Sequence, residues 1–190
     1  MCQSTKPVYR ASAEFYKKEL IVENVLSVFE QFRMAKVAED QYDMKGRDIL
    51  SNRISTFVEQ DKPIEFVMLG FPFKSINIRD KVNGIVPDMA EKATLDNFTA
   101  FNERVTDFYH KGVNFNIVSD GFIFNQLLGV HDNVVVDYKE QSLNMVTGPV
   151  QFYDATDFYN RHTTVNQIRA KIVEQFGITH EEIEQKVLFN

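Results

Sequence analysis

Gly70-Phe71-Pro72-Phe73-Lys74-Ser75, read with its later echo Ser119-Asp120-Gly121, decides how this chain folds. Each follows a short apolar run of strand character, Ile64–Leu69 before the first and residues 113–118 before the second. Each is therefore a loop leaving the carboxyl end of a strand, the edge at which open α/β sheets bind ligands. The two loops predict one crevice, with Lys74 and Asp120 facing each other across it.

The run Ile64–Leu69 is nearly continuous in apolar residues, as for a strand covered on both faces of a parallel sheet. In the second run Val113, Phe115 and Ile117 alternate with Asn114 and Asn116. Between the runs, Asp88 with Glu91 three residues on gives a capping-box-like start. The helix it opens carries Leu95, Phe98, Phe101, Val105 and Phe108 on one face. Strand, helix, strand in that order is a βαβ unit with a right-handed crossover. The connection after Gly70 is long, and long connections in compact domains are commonly functional.

Upstream, residues 12–40 place Leu20, Ile21, Val25, Val28, Phe29 and Phe32 at helical spacing, which predicts a long amphipathic helix or two in series with Ser12 as N-cap. Gly46 breaks that pattern. Residues 48–59 read as another helix on Ile49, Leu50, Ile54, Phe57 and Val58, ended by Asp61-Lys62-Pro63. Downstream, residues 122–128 suit a short helix. Residues 131–145 are ambiguous, since Val134, Val135 and Val136 favour strand while Tyr138, Leu143 and Met145 fit a helix; helix is the reading taken. A strand at 150–153 follows the Gly148-Pro149 turn, and helices at 166–176 and 180–188 flank Gly177. The whole is one α/β domain over residues 1–190, with a helical segment at 12–60 and an α/β core at 63–190.

Composition narrows the partners. With 190 residues and 44% hydrophobic content the chain can bury a sizeable core. A net charge of −6, from 27 acidic and 21 basic side chains, argues against a nucleic-acid or anionic-membrane surface. The lone Cys2 has no internal disulfide partner, and no apolar run spans a bilayer or forms a signal peptide, so a cytoplasmic protein is expected. The 17 phenylalanines, with no tryptophan, point to a Phe-built core.

Several side chains could carry chemistry. The Gly70 loop lacks P-loop spacing, yet Lys74 stands where it would meet an anion or a carbonyl; otherwise it is a solvated lysine. Phe71-Pro72-Phe73 would hold that loop rigid, or simply fill core. Asp120 could act as a base, pair with Lys74, or cap the helix that follows. Lys81, Arg79 and Arg161 could complete an anion site, or be surface charge. Among the histidines, His131 and His162 are candidates, whereas His110 and His180 look like helix-end residues. No zinc spacing or nucleophile elbow occurs, and no metal is expected.

The order Phe71-Pro72-Phe73-Lys74-Ser75, Asn77, Lys81-Val82, Gly84, Pro87-Asp88-Met89-Ala90-Glu91, Ser119-Asp120-Gly121, Phe124, Leu128-Gly129-Val130 and Asp132 closely resembles the pyoverdine/dityrosine biosynthesis family, the isonitrile (isocyanide) synthases and their spore-wall relatives. The resemblance implies a Rossmann-like fold, with a mostly parallel sheet and flanking helices. It also implies an enzyme of secondary metabolism that condenses the amine of an aromatic amino acid, tyrosine or tryptophan, with ribulose 5-phosphate. The resemblance matches positions only; the assignment of Lys74 and Asp120 as catalytic, and of Phe73, Ser75, Asn77, Lys81, Ser119 and Arg161 as substrate-binding, is our own expectation from the residues. Two departures stand out: Ile76 replaces the proline usual after the Lys-Ser pair, and family members continue where this chain ends at Asn190. The alternative is thus a truncated, non-catalytic paralogue that binds a phosphorylated metabolite or a partner protein, and apolar surface left exposed by shortening would favour a homo-oligomer.

Overall fold

Three parallel strands carry the architecture, and their pairing order explains where each apolar run ends up. The computed structural model describes residues 6–33, 42–75, 78–79, 81–158, 164–177 and 182. In it β1 (Ile64–Leu69), β2 (Val113–Ser119) and β3 (Val150–Asp154) form one sheet in the order β1-β2-β3. β2 and β3 are parallel, with Phe115 opposite Val150 and Ser119 opposite Asp154. β1 runs the same way, since Ile64 N–H donates to the Gly112 carbonyl and Gly70 N–H to that of Val118. With helices between the strands, this is an α/β fold.

β2 lies in the middle, and its odd positions Val113, Phe115, Ile117 and Ser119 are buried. β1 departs from expectation. Ile64 is buried, but Val67 is 72% and Leu69 75% exposed, so this strand is not covered on both faces. It stands at the end of the strand order, and no described element lies over that face.

The described residues group into two compact units. One comprises those of Met1–Phe66 and Asn97–Asn114. Its longest element, α1, spans Lys6–Phe32. Ser12 therefore lies inside the helix and is not its N-cap; Pro7 sits in the first turn, where its missing N–H leaves no bond unmade. The buried stripe of α1 is Val22, Val25, Leu26 and Val28, whereas Leu20 is exposed. A π-helical turn at Tyr42–Gly46 runs directly into α2 (Arg47–Glu59), so Gly46 continues the helical path with φ of −64° and does not break it. Ile54 and Val58 turn inward. α2 ends as its sequence predicts: Asp61 takes a left-handed φ of 54°, with Asp61 N–H on the Val58 carbonyl and Lys62 N–H on that of Phe57, the paired bonds of a Schellman stop. Phenylalanines build this core, Phe29 stacking on Phe66 at 6.3 Å, and Phe101 taking Phe66 and Phe32 edge-on at 5.8 and 5.5 Å.

The other unit comprises the described residues of Val67–Asp96 and Phe115–Asn190. Helix α3 (Met89–Thr106) contributes residues to both units. After β2 come α4 (Gly121–Phe124), a 3-10 turn at Gln126–Leu128 and α5 (Asp132–Asn144). The valine triplet does not make a strand, because Val135 and Tyr138 at helical spacing are buried while Val136 stays exposed. α6 (Val165–Phe176) opens on a Thr164–Gln167 capping box and stops at Gly177, whose φ is 61°. The helix expected at 180–188 lies outside the described residues. Leu95, Ile117, Ile123, Val130, Val135 and Ile168 form the core of this unit. Among the described residues no helix is long and apolar enough to cross a membrane.

Candidate functional site

The two loops that open the site are locked to each other. Ser119 Oγ donates to the Phe71 carbonyl at 3.2 Å and accepts from Gly121 N–H at 3.3 Å. At Gly121 a Cβ would lie 2.5 Å from the Pro72 carbonyl oxygen and 2.9 Å from Val135 Cγ1, so only glycine lets the first loop come this close. Phe71 holds a left-handed φ of 53° and sets its ring edge-on to Phe152 at 5.3 Å. Such backbone strain persists only where the surroundings over-determine it, and it concentrates at functional sites.

From that loop Lys74 points into the protein, 8% exposed. Its ammonium meets Asp88 at 2.5 Å and Glu91 at 3.1 Å. The same two carboxylates start α3: Asp88 accepts from Ala90 N–H at 2.8 Å, and Glu91 reaches back to Asp88 N–H at 2.8 Å. One local motif thus both caps the helix and receives the buried cation. Burial alone would lower the Lys74 pKa, but the hydrogen bonds and charges of Asp88 and Glu91 outweigh it and hold the ammonium above the ordinary lysine range. Lys74 is therefore a fixed positive charge and not a neutral amine. Asp88 is correspondingly held below the usual carboxylate range, first by Lys74 and then by Ala90 N–H. Tyr138, 3% exposed, donates from its hydroxyl to the other Glu91 oxygen at 3.1 Å. Burial, reinforced by Glu91, raises the phenol pKa far above its ordinary value, so it remains a neutral donor.

Two cavities meet along the first turn of α3. The larger, about 410 Å3, is lined by three cations, Lys74, Arg79 and Lys81, against two carboxylates, Asp88 and Glu91. The smaller, about 220 Å3, is lined by Phe71, Pro72, Ala90, Glu91, Thr94 and Tyr138, and Ala90 and Glu91 border both. The first suits a small anionic group with polar substituents, and the second an apolar ring.

The residues expected to form a site separate into three groups. Lys74 and Lys81 come together at the larger cavity, and Arg79 joins them. Ser119 is buried and pins the two loops, while Phe73 and Ser75 are half-buried and do not line that cavity. Asn77, Arg161 and His162 lie outside the described residues. Asp120 occupies the N-cap position of α4 without a side-chain cap bond, and it does not border the cavity of Lys74. The carboxylates that meet Lys74 are Asp88 and Glu91, two residues not expected to be its partners. Glu91 and Tyr138 escaped the sequence reading as site residues. The Asp-x-x-Glu spacing was visible, but as a cap it pointed to the backbone. Asp154, brought opposite Ser119 by the β2–β3 register and paired with Lys139, left no local signal. No cluster of His, Cys, Asp and Glu suited to a metal occurs among the described residues.

A parallel sheet with helices between its strands and a buried lysine in the loop after β1 places the chain in the α/β class, and comparison makes it specific. Residues 54–189 match the pyoverdine/dityrosine biosynthesis protein family, and the chain belongs to it. It is similar to the L-tyrosine isonitrile synthase of Xenorhabdus nematophila, with 37% identity over 66% of this chain and 38% of that protein. An L-tryptophan isonitrile synthase of Fischerella ambigua is 32% identical over 73% of this chain and 42% of its own length. The crystal structure of the PvcA protein from Pseudomonas aeruginosa superposes with a TM-score of 0.69 at 25% identity, covering 90% of this chain and 58% of that one. The chain thus spans less than half the length of these two curated relatives.

Proposed function

We propose that this chain is an isonitrile-synthase-like transferase domain that brings the amine of an aromatic amino acid to the C2 ketone of ribulose 5-phosphate. The observation that carries the reading is Lys74, held charged in the wall of a cavity that also presents Arg79 and Lys81. A phosphate gains most where charge-assisted donors converge out of bulk water. A fixed ammonium can also polarise a ketone while a carboxylate moves protons. In this reading Lys74 and Asp120 remain the catalytic candidates, and Lys81 binds substrate with Phe73, Ser75, Asn77, Ser119 and Arg161. The relatives named as tyrosine and tryptophan isonitrile synthases support the choice of amino acid.

Incubating the protein with tyrosine or tryptophan and ribulose 5-phosphate is expected to yield a product with the isonitrile stretching band in the infrared, and Lys74→Ala to abolish it. Absence of both product and sugar-phosphate binding would overturn the reading. A second reading is a non-catalytic binder of a phosphorylated metabolite, which the same cationic cavity also suits. Calorimetric binding of ribulose 5-phosphate without turnover would select it.

A further inference from the structure

The smaller cavity is not needed to explain how an anion is held, and its chemistry differs from that of its neighbour. Five of the residues that line it, Phe71, Pro72, Ala90, Thr94 and Tyr138, carry no charge. Glu91 is the one charged side chain among the residues lining it. We infer that this recess takes the ring of an aromatic amino acid, and that Glu91, on the border of both cavities, receives its ammonium and holds the amine toward the cationic cavity. The inference deepens the proposed function and rests on it.

Three observations point this way. First, a carboxylate offers about four acceptor positions. Among the described residues Lys74, Asp88 N–H and Tyr138 all donate to Glu91, so its two oxygens are oriented as acceptors. An incoming ammonium on such a carboxylate forms a strong charge-assisted bond. Second, Glu91 is only 13% exposed, so such a bond would be made largely out of water. Third, the recess is preorganised: Phe71 is fixed by its left-handed backbone and by Phe152, Pro72 by the close approach of Gly121, and Glu91 by Tyr138 and the helix cap. A rigid apolar wall beside one carboxylate matches a ligand with an aromatic end and an ammonium end. Glu91 binds in this scheme, and Tyr138 positions it.

Calorimetry with two ligands tests the assignment. L-Tyrosine and its des-amino analogue 3-(4-hydroxyphenyl)propionate probe the recess, and ribulose 5-phosphate probes the larger cavity. Thr94 is exposed on α3, so Thr94→Phe fills the recess at little cost to folding, which circular dichroism checks. It is expected to weaken L-tyrosine at least tenfold and leave ribulose 5-phosphate unchanged. The wild-type protein is expected to prefer L-tyrosine to the des-amino analogue at least tenfold, a preference that Glu91→Gln removes. Binding of ribulose 5-phosphate with no L-tyrosine affinity, or with affinity indifferent to Thr94→Phe, would overturn the recess assignment and leave the proposed function standing. A chain that binds L-tyrosine in the recess but not the sugar phosphate would keep the assignment and remove the proposed reaction. Binding of neither overturns both.

Discussion

Lys74 is the residue on which position and chemistry converge most tightly. It is buried, yet it stays charged because two carboxylates meet it at 2.5 and 3.1 Å. Lys74→Met would leave Glu91, 13% exposed, facing Asp88 without a cation between them. Removing one partner from such a cluster is expected to cost about 1–3 kcal/mol, which urea denaturation would measure. The pH dependence follows from the two shifts. Lys74 is raised, so its contribution is complete below the unfolded lysine pKa and is lost as pH rises through the folded value. Asp88 is lowered, so its contribution is present above the unfolded aspartate pKa and is lost as pH falls through the folded one. The stability difference between wild type and Lys74→Met should therefore be flat across neutral pH and shrink at both the acid and the strongly alkaline ends. Gly121 acts by its lack of a side chain. Gly121→Ala puts a Cβ 2.5 Å from a backbone oxygen, and relieving that clash should cost about 1–3 kcal/mol in the same measurement.

At the scale of elements, the start of α3 links folding to the site. Asp88 caps Ala90 N–H, Glu91 caps Asp88 N–H, and both bind Lys74. Asp88→Ala should lower stability through loss of the cap. It should also loosen Lys74, so the loss is expected to be smaller when measured in a Lys74→Met background; equal losses in both backgrounds would separate the cap from the cation. Most elements are legible in the sequence. The α3 capping start, the Asp61 stop of α2 and the Gly177 stop of α6 are local devices, each satisfied by groups a few residues away, while the β1 run shows by its apolar residues although its partner strand is remote. Legibility failed where the deciding partner was remote. The valine triplet of α5 prefers strand locally, but burial of Val135 and Tyr138 on one helical face overrides that preference.

At the scale of the whole molecule, the strand order decides what an apolar residue is worth. Ile117, in the middle strand, is fully buried, whereas Val67, in β1, is 72% exposed. Ile117→Ala is expected to cost about 2–5 kcal/mol. Val67→Ala should stay within about 0.5 kcal/mol of wild type, although both residues lie in runs of strand character. Denaturant midpoints for the two variants would check this, and comparable losses would contradict the exposed position of β1. The sequence by itself determined the parallel βαβ framework, the loops at its carboxyl edge and the family, because these rest on periodicity, capping spacing and ordered motifs that adjacent residues encode. Only the tertiary structure decided that Lys74 meets Asp88 and Glu91, that Tyr138 bonds Glu91, and that Val67 and Leu69 of β1 are exposed. Those outcomes depend on which distant segments pack together, and a one-dimensional pattern carries no distance between them.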